Sequence, residues 1–300
     1  MTQSWQGIAE RSTPLALKSM RWIALKLGRR QARLFLYPIT LYFLLFAPQQ
    51  RRASLHYLQR VLDHKPNWFH VARHIHCFAS TILDRVYMLT GQFDKLDIVF
   101  PEVNLPLTYV DKGTPCILLG GHIGCPEILK SYAIKNCSLP FKILLAEEQT
   151  PMIAEIMNEL NPELKEQIIP LGASGSLLRV KDAIDAGYSV GMLGDRMIGD
   201  EKAVRCAFLG DEVTISASTV MISAALKLPV IMFFGIYLGG NRYQIHFELL
   251  SEQINLDRKD RMTEVHSLVQ KYVSAMESRI KAAPYNWFNF YDYWDDESEL

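Results

Sequence analysis

Apolar positions recur at steps of three and four along the first third of the chain, and in short unbroken runs along the rest. The change falls near residue 96. Residues 1 to about 95 therefore read as helical. The stretch LHYLQRVLDHKPNWFHVARHIHCFASTILDRVYMLTG keeps helical spacing, breaks at Lys65 and Pro66, and meets a C-terminal stop at Gly91. Beyond residue 96 come LDIVF, PCILLGG, FKILLA, EQIIPLG, YSVGMLGD and LPVIMFFGIYL, each a short β-rich run. Helical patterns lie between them at 127–136, 151–160, 174–186 and 215–227. Strands alternating with helices predict an α/β fold with a mostly parallel central sheet flanked by helices. YQIHFELL alternates more cleanly, as an antiparallel edge or return strand does. A helix over 261–282 closes the fold, followed by the aromatic tail PYNWFNFYDYWDD. The organisation expected is an N-terminal helical region, 1–95, and an α/β domain, 96–300.

One segment of the helical region stands apart. In RRQARLFLYPITLYFLLFAPQQRRA the uncharged core is residues 34–48, too short for the roughly 20 residues of a spanning helix, and Pro38 interrupts it. Arg29, Arg30 and Arg33 precede the core, and Arg51 and Arg52 follow it. With the similar LALKSMRWIALKLG upstream, the segment reads as a helix lying in the membrane interface against anionic headgroups.

The composition, 49% hydrophobic and 21% charged, belongs to a globular chain with a sizeable core. Lys plus Arg (32) equals Asp plus Glu (32), so charge gives no argument for a nucleic-acid partner. Five cysteines without a CxxC pair fit reduced thiols facing the cytoplasm rather than disulfides or zinc. The first 30 residues lack the apolar run and small-residue cleavage site of a secretory signal.

Candidate chemistry concentrates in CILLGGHIGCPEILK, where an apparent strand runs into a helix start. Active sites of open α/β sheets form beyond the carboxyl ends of strands, and His122 lies there. Gly120 and Gly121 allow a tight turn, and Pro126 suits a first helical turn, which places Glu127 beside it. A carboxylate reaching back to the imidazole would make a general base, with helix N-terminal amides near a developing oxyanion. With 32 acidic residues in 300 and eight histidines, about one H-x4-[DE] pair arises by chance, so the context of strand, double glycine and helix start carries the argument.

GGHIGCPEIL resembles the H-x4-D/E block of the lysophospholipid acyltransferase superfamily, closest to the bacterial lipid A biosynthesis lauroyl and myristoyl acyltransferases. The likeness extends through the basic and apolar helix at residues 20–50 and through VGMLGDRMIGDEKAVRCAFLGDEVTISAST, which puts Asp195, Phe208, Gly210 and Thr214 on family positions. It continues to Pro229 and to WFNFYDYW. The resemblance implies that His122 and Glu127 deprotonate an acceptor hydroxyl, which attacks the thioester of an acyl-carrier protein or acyl-coenzyme A. It implies no metal, no other cofactor and no covalent acyl-enzyme. Asp195 and Arg196 would lie near the acceptor or the charge developing in the transition state. Gly172 and Ser174 of PLGASGSLLR would offer backbone amides to an acceptor phosphate, alongside the plainer reading of an αβ turn with a Ser cap. The partners implied are an acyl-carrier protein, a membrane lipid acceptor and the anionic cytoplasmic face of the inner membrane.

This chain departs from the lipid A enzymes after FKILLA, where Glu147 and Glu148 stand in place of an arginine and would repel an anionic saccharide phosphate. Acyltransferases similar to this one accompany aryl polyene pathways, where a different lipid headgroup is acylated. A non-catalytic lipid-binding or scaffold protein on the same fold is the alternative reading, and a nucleotide-sugar transferase a more distant one. His70, His74 and His76 read as structural rather than metal-binding, Cys125 as packing, and the tail aromatics Trp287, Phe288, Phe290, Tyr291 and Trp294 as packing against the sheet.

Overall fold

The computed structural model describes residues 14–100, 105–129, 140–145, 164–171, 175–197 and 201–294. Five helices come first: α1 (Pro14–Leu27), α2 (Arg29–Leu34), α3 (Leu36–Phe46), α4 (Pro48–Val61) and α5 (Trp68–Leu89). Pro38 does not break α3, because it occupies the first turn, where a missing N–H costs nothing. At the start of α5 the Asn67 side chain accepts from the amides of Phe69 and His70, and His70 Nδ1 accepts from the Asn67 amide. This reciprocal cap starts the helix immediately after the Pro66 break.

Next come β1 (Asp97–Val99), α6 (Leu105–Val110), β2 (Ile117–Gly120), β3 (Phe141–Leu145), α7 (Leu164–Gln167), β4 (Ile168–Pro170), α8 (Ser176–Asp185) and β5 (Ser189–Leu193). They are followed by β6 (Ala203–Phe208), β7 (Asp211–Ser216), α9 (Ser218–Leu226), β8 (Val230–Gly239), β9 (Arg242–Ser251) and α10 (Arg261–Ala282). Seven strands form one sheet in the order β1-β9-β8-β2-β5-β3-β4. The pairs β8·β2, β2·β5, β5·β3 and β3·β4 are parallel, so the predicted mostly parallel sheet is present. The cleanly alternating strand is the return strand β9, antiparallel to β8 and covered on its outer side by the short edge strand β1.

Residues 203–216 differ from expectation. They form the antiparallel hairpin β6–β7, and the helix expected from residue 215 begins at Ser218. Val204, Cys206 and Phe208 of this hairpin are buried while Arg205 and Ala207 are exposed. Leu209 and Gly210 both have positive φ, as the two central residues of a type I′ turn must. The helical patterns at 127–136 and 151–160 lie mainly outside the described residues, as do Glu147 and Glu148.

The helical region is tied to the sheet by charge. The Arg29 guanidinium donates two hydrogen bonds of 2.7 Å to the fully buried Asp84 on α5 and also bonds the Gly240 carbonyl. Tyr243 on β9 donates to the same carboxylate at 2.7 Å. Arg33 donates to the Tyr237 hydroxyl and to the Gly240 carbonyl. Arg51 bonds the Leu44 carbonyl and stacks on Trp68. Three of the arginines expected to meet headgroups are thus turned to the protein itself, and Arg30 and Arg52 stay exposed. Across the same helices Leu34, Tyr37, Leu41, Leu45 and Phe46 are each more than half exposed, as are Trp22, Trp68 and Phe69. Among the described residues, no helix is long and apolar enough to cross a membrane.

Candidate active site

β2 and β5 are parallel neighbours in which Gly120 stands opposite Leu193. The loops leaving their carboxyl ends start side by side, with the Gly194 amide donating to the Gly120 carbonyl. Two residues into each loop, His122 meets Asp195. The imidazole Nδ1 is 2.8 Å from Asp195 Oδ1, and the His122 amide donates to Oδ2 at 2.9 Å.

Glycines make this approach possible by lacking a side chain rather than by turning the chain, since neither Gly120 nor Gly121 has positive φ. A Cβ on Gly121 would lie 3.1 Å from the Tyr272 hydroxyl and 3.4 Å from the Asp195 carboxyl carbon. The left-handed position falls later, at Gly124 (φ +62), where a Cβ would collide with the Gly235 carbonyl oxygen on β8. There the loop lies flat on the sheet, with the Cys125 amide donating to that carbonyl.

The tail closes the other side. The Gly124 amide donates to the Asn286 carbonyl, the Phe288 amide to the His122 carbonyl, and Ile123 bridges Trp287. Trp287, Phe288 and Trp294 are buried, as packing residues should be, among Tyr57, Phe78, His74 and Phe208. The amides of His122, Gly124 and Cys125 are all occupied, so an oxyanion would have to draw on other donors than these.

Asp195 is fully buried. Burial alone would raise its pKa, but the charges of His122 and Arg196 and the bonds from His122 hold the carboxyl well below the usual carboxylate range. His122 is displaced downward, first by burial and then by the Arg196 charge, against the opposing pull of Asp195. Near neutral pH the pair is therefore a neutral imidazole and an ionised carboxylate. The one ring proton sits on Nδ1, donated to Asp195, and Nε2 keeps its lone pair. Among the described residues nothing hydrogen-bonds that Nε2.

The placement of Glu127 corrects the expected pairing. Its Oε1 lies 3.0 Å from Arg85 Nε on α5, and its Oε2 accepts from Cys125 Sγ at 3.2 Å. The carboxylate bonded to the imidazole is Asp195, because strand register carries it there, whereas Glu127 is drawn to the Arg85 cation. Asp195, expected near the acceptor or the charge developing in the transition state, is enclosed behind His122 and bonded to its imidazole. Arg196 donates from Nε to Asn289 Oδ1 at 2.7 Å and from Nη2 to the Phe288 carbonyl at 3.2 Å. Burial and the neighbouring Glu127 charge push the Cys125 thiol up, which leaves it a packing group and not a nucleophile.

Gly210 forms the β6–β7 turn and Thr214 lies on β7 opposite Arg205; among the described residues no bond joins either to His122. Gly172 and Ser174 lie outside the described residues. His74 and His76 bond Ser54 and Thr40, and no group of three metal-ligating side chains occurs among the described residues. Asn289, which sequence reasoning passes over, touches both Asp195 and Arg196. Its only signal is its place inside an aromatic tail.

Residues 21–295 match the model of the bacterial lipid A biosynthesis acyltransferase family. The chain belongs to that family. Its members are acyltransferases, and the protein is accordingly an enzyme of acyl transfer onto a lipid acceptor. No curated protein matches the chain.

Proposed function

We propose that the protein moves a fatty acyl group from an acyl thioester, carried by acyl-carrier protein or coenzyme A, to a hydroxyl of a membrane lipid or glycolipid, with His122 as general base. Nε2 of the neutral imidazole takes the hydroxyl proton as the oxygen attacks the thioester carbonyl. The tetrahedral centre collapses with loss of the C–S bond, and the proton passes from Nε2 to the leaving thiolate. The products are an O-acyl ester and a free thiol. Asp195 fixes the tautomer and stabilises the imidazolium while it exists. Glu127, paired with Arg85, anchors the first turn after the histidine loop. The reading needs no metal and no cofactor beyond the acyl donor.

The single observation that carries the reading is the Nδ1-to-Asp195 bond at the ends of two parallel strands, with Nε2 left without a hydrogen bond among the described residues. The exposed apolar and aromatic face of α2 and α3, with Arg30 and Arg52 at its ends, supports a position in the interface of the inner membrane on its cytoplasmic side. An acceptor resident in that membrane would meet the enzyme there.

The test is mass spectrometry of membrane lipids from cells carrying the protein, lacking it, or carrying His122→Ala. A species heavier by one acyl group that requires both the protein and His122 is expected. A lipid profile unchanged by loss of the protein, or a product that persists with His122→Ala, would overturn the assignment.

A further inference from the structure

Asn289 is 1% exposed, yet it belongs to neither strand-end loop of the site. Its amide is divided between two charged groups. Nδ2 donates to Asp195 Oδ2 at 3.2 Å, and Oδ1 accepts from Arg196 Nε at 2.7 Å. The tail is tied to both loops: the Phe288 amide bonds the His122 carbonyl, and the Tyr293 hydroxyl donates to the Asp195 carbonyl at 2.6 Å. The amide carries its donor and its acceptor on two separate atoms, one directed to each charge. Aspartate would set a second carboxylate against Asp195, and an apolar residue would take one hydrogen-bond partner from each charge.

We propose that Asn289 is a positioning residue of the reaction, fixing together the Asp195 carboxylate that holds the His122 imidazole and the Arg196 guanidinium whose charge acts on it. The proposal rests on the reading of His122 as the base. It gives the aromatic tail a role beyond packing, because the strap that buries Trp287 also delivers this amide to the strand ends.

The groups acting on the imidazole are Asp195 and Arg196 from the loop after β5 and Arg85 from α5. The Tyr272 and Tyr293 hydroxyls lie close to Asp195. Removing the Asn289 amide changes two of these influences in one direction. Asp195 loses a competing donor and becomes a stronger acceptor for the imidazole proton. Arg196 loses the acceptor on its Nε and keeps its contacts to the Phe288 carbonyl and the Tyr291 ring, so the cation is held less firmly beside His122. Both effects favour the protonated ring, so the His122 pKa should rise.

The experiment is NMR titration of protein labelled with 13C at histidine Cε1, with the His122 signal identified by its absence in His122→Gln. Wild type is compared with Asn289→Leu and Asn289→Ala, neither of which carries a side-chain donor or acceptor; the smaller alanine decides the matter if the leucine variant does not fold. The expected result is a His122 midpoint at least about half a unit higher in each folded variant, with the His74 titration unmoved. A folded variant whose His122 titrates as in wild type overturns the proposal, even if its melting temperature has dropped. The two ideas fail separately. An unmoved titration with the lipid product still dependent on His122 removes only the positioning role. A moved titration with no His122-dependent product removes the acyl-transfer mechanism.

Discussion

His122 and Asp195 are 73 residues apart in sequence, and so are Gly120 and Leu193, the last paired residues of the strands that lead to them. The contact between imidazole and carboxylate is thus an extension of sheet register by two residues. Parallel pairing of β2 with β5 sets the spacing, and bare glycines at 120 and 121 let the loops run together without interference. A site built on this register inherits the rigidity of the two central strands, which suits a base that must hold its tautomer.

Replacing the buried carboxylate tests which acid serves the histidine. Asp195→Asn keeps the volume but offers an NH2 group as readily as a carbonyl to Nδ1, which favours the tautomer with its proton on Nε2. Acyl transfer should fall about 10³- to 10⁴-fold in kcat, with little change in KM. Glu127→Gln should leave the imidazole tautomer as it is and act mainly on stability, by unpairing Arg85. Steady-state kinetics and thermal melts of the two variants separate these roles. Equal retention of activity in Asp195→Asn would refute the pairing as the functional one.

The parallel strands at the centre of the sheet are legible because strands covered on both faces must be apolar, as Ile117–Gly120 and residues 190–193 are, and β9 is legible by its alternation. The β6–β7 hairpin is hard to read for the opposite reason. Its period-two pattern is interleaved with Arg205, Asp211 and Glu212, and its turn carries Leu209-Gly210 in place of the usual Asn-Gly signal. His122 is visible as a local motif, but its partner is not. A spacing of five residues can be seen along the chain, whereas Asp195 reaches the imidazole only through strand order. Asn289 is further hidden, since its contacts depend on where the tail folds back. Nor does charge along the chain reveal that Arg29 and Arg33 face Asp84 and Gly240, because inward and outward arginines look alike until the helices are docked.

His74 should make folding stability depend on pH. It is fully buried between the Ser54 hydroxyl, which donates to Nδ1, and the Trp287 carbonyl, which accepts from Nε2. Burial lowers its pKa to about 4, against the hydrogen bond to Trp287. The unfolded chain, with its histidine near 6.5, binds the proton more readily than the folded one. Stability contributed by the neutral ring is therefore complete above pH 6.5 and is lost as pH falls toward 4, by about 3 kcal/mol in total. Urea unfolding of wild type and His74→Gln at pH 7 and pH 4.5 checks this. The wild-type value should drop more, and parallel slopes in the two proteins would contradict it.

Asp84→Ala should loosen the N-terminal helices from the sheet. The Arg29 guanidinium is only 12% exposed and would lose its one carboxylate partner, and Tyr243 would lose its acceptor. An uncompensated buried cation costs about 3–5 kcal/mol, whereas Tyr243→Phe, which removes one hydrogen bond, should cost about 1 kcal/mol. Denaturant melts give the two values. Limited proteolysis should show earlier cleavage between α1 and α3 in Asp84→Ala alone.

The exposed face of α3 should bind vesicles through its apolar side chains more than through charge. Leu41, Leu45 and Phe46 are 54%, 56% and 60% exposed, so replacing all three with serine removes little from the core. Each side chain transferred into the interface contributes on the order of 1 kcal/mol, and the triple replacement should weaken binding at least about 100-fold. Arg30→Gln with Arg52→Gln should cost about 1 kcal/mol for each charge and only on anionic membranes. Flotation with phosphatidylethanolamine–phosphatidylglycerol vesicles separates the two contributions. High salt should reproduce the arginine effect and leave the apolar one. If the serine variant floats as well as wild type while folding normally, the face does not lie in the bilayer, and the acceptor must reach His122 by another route.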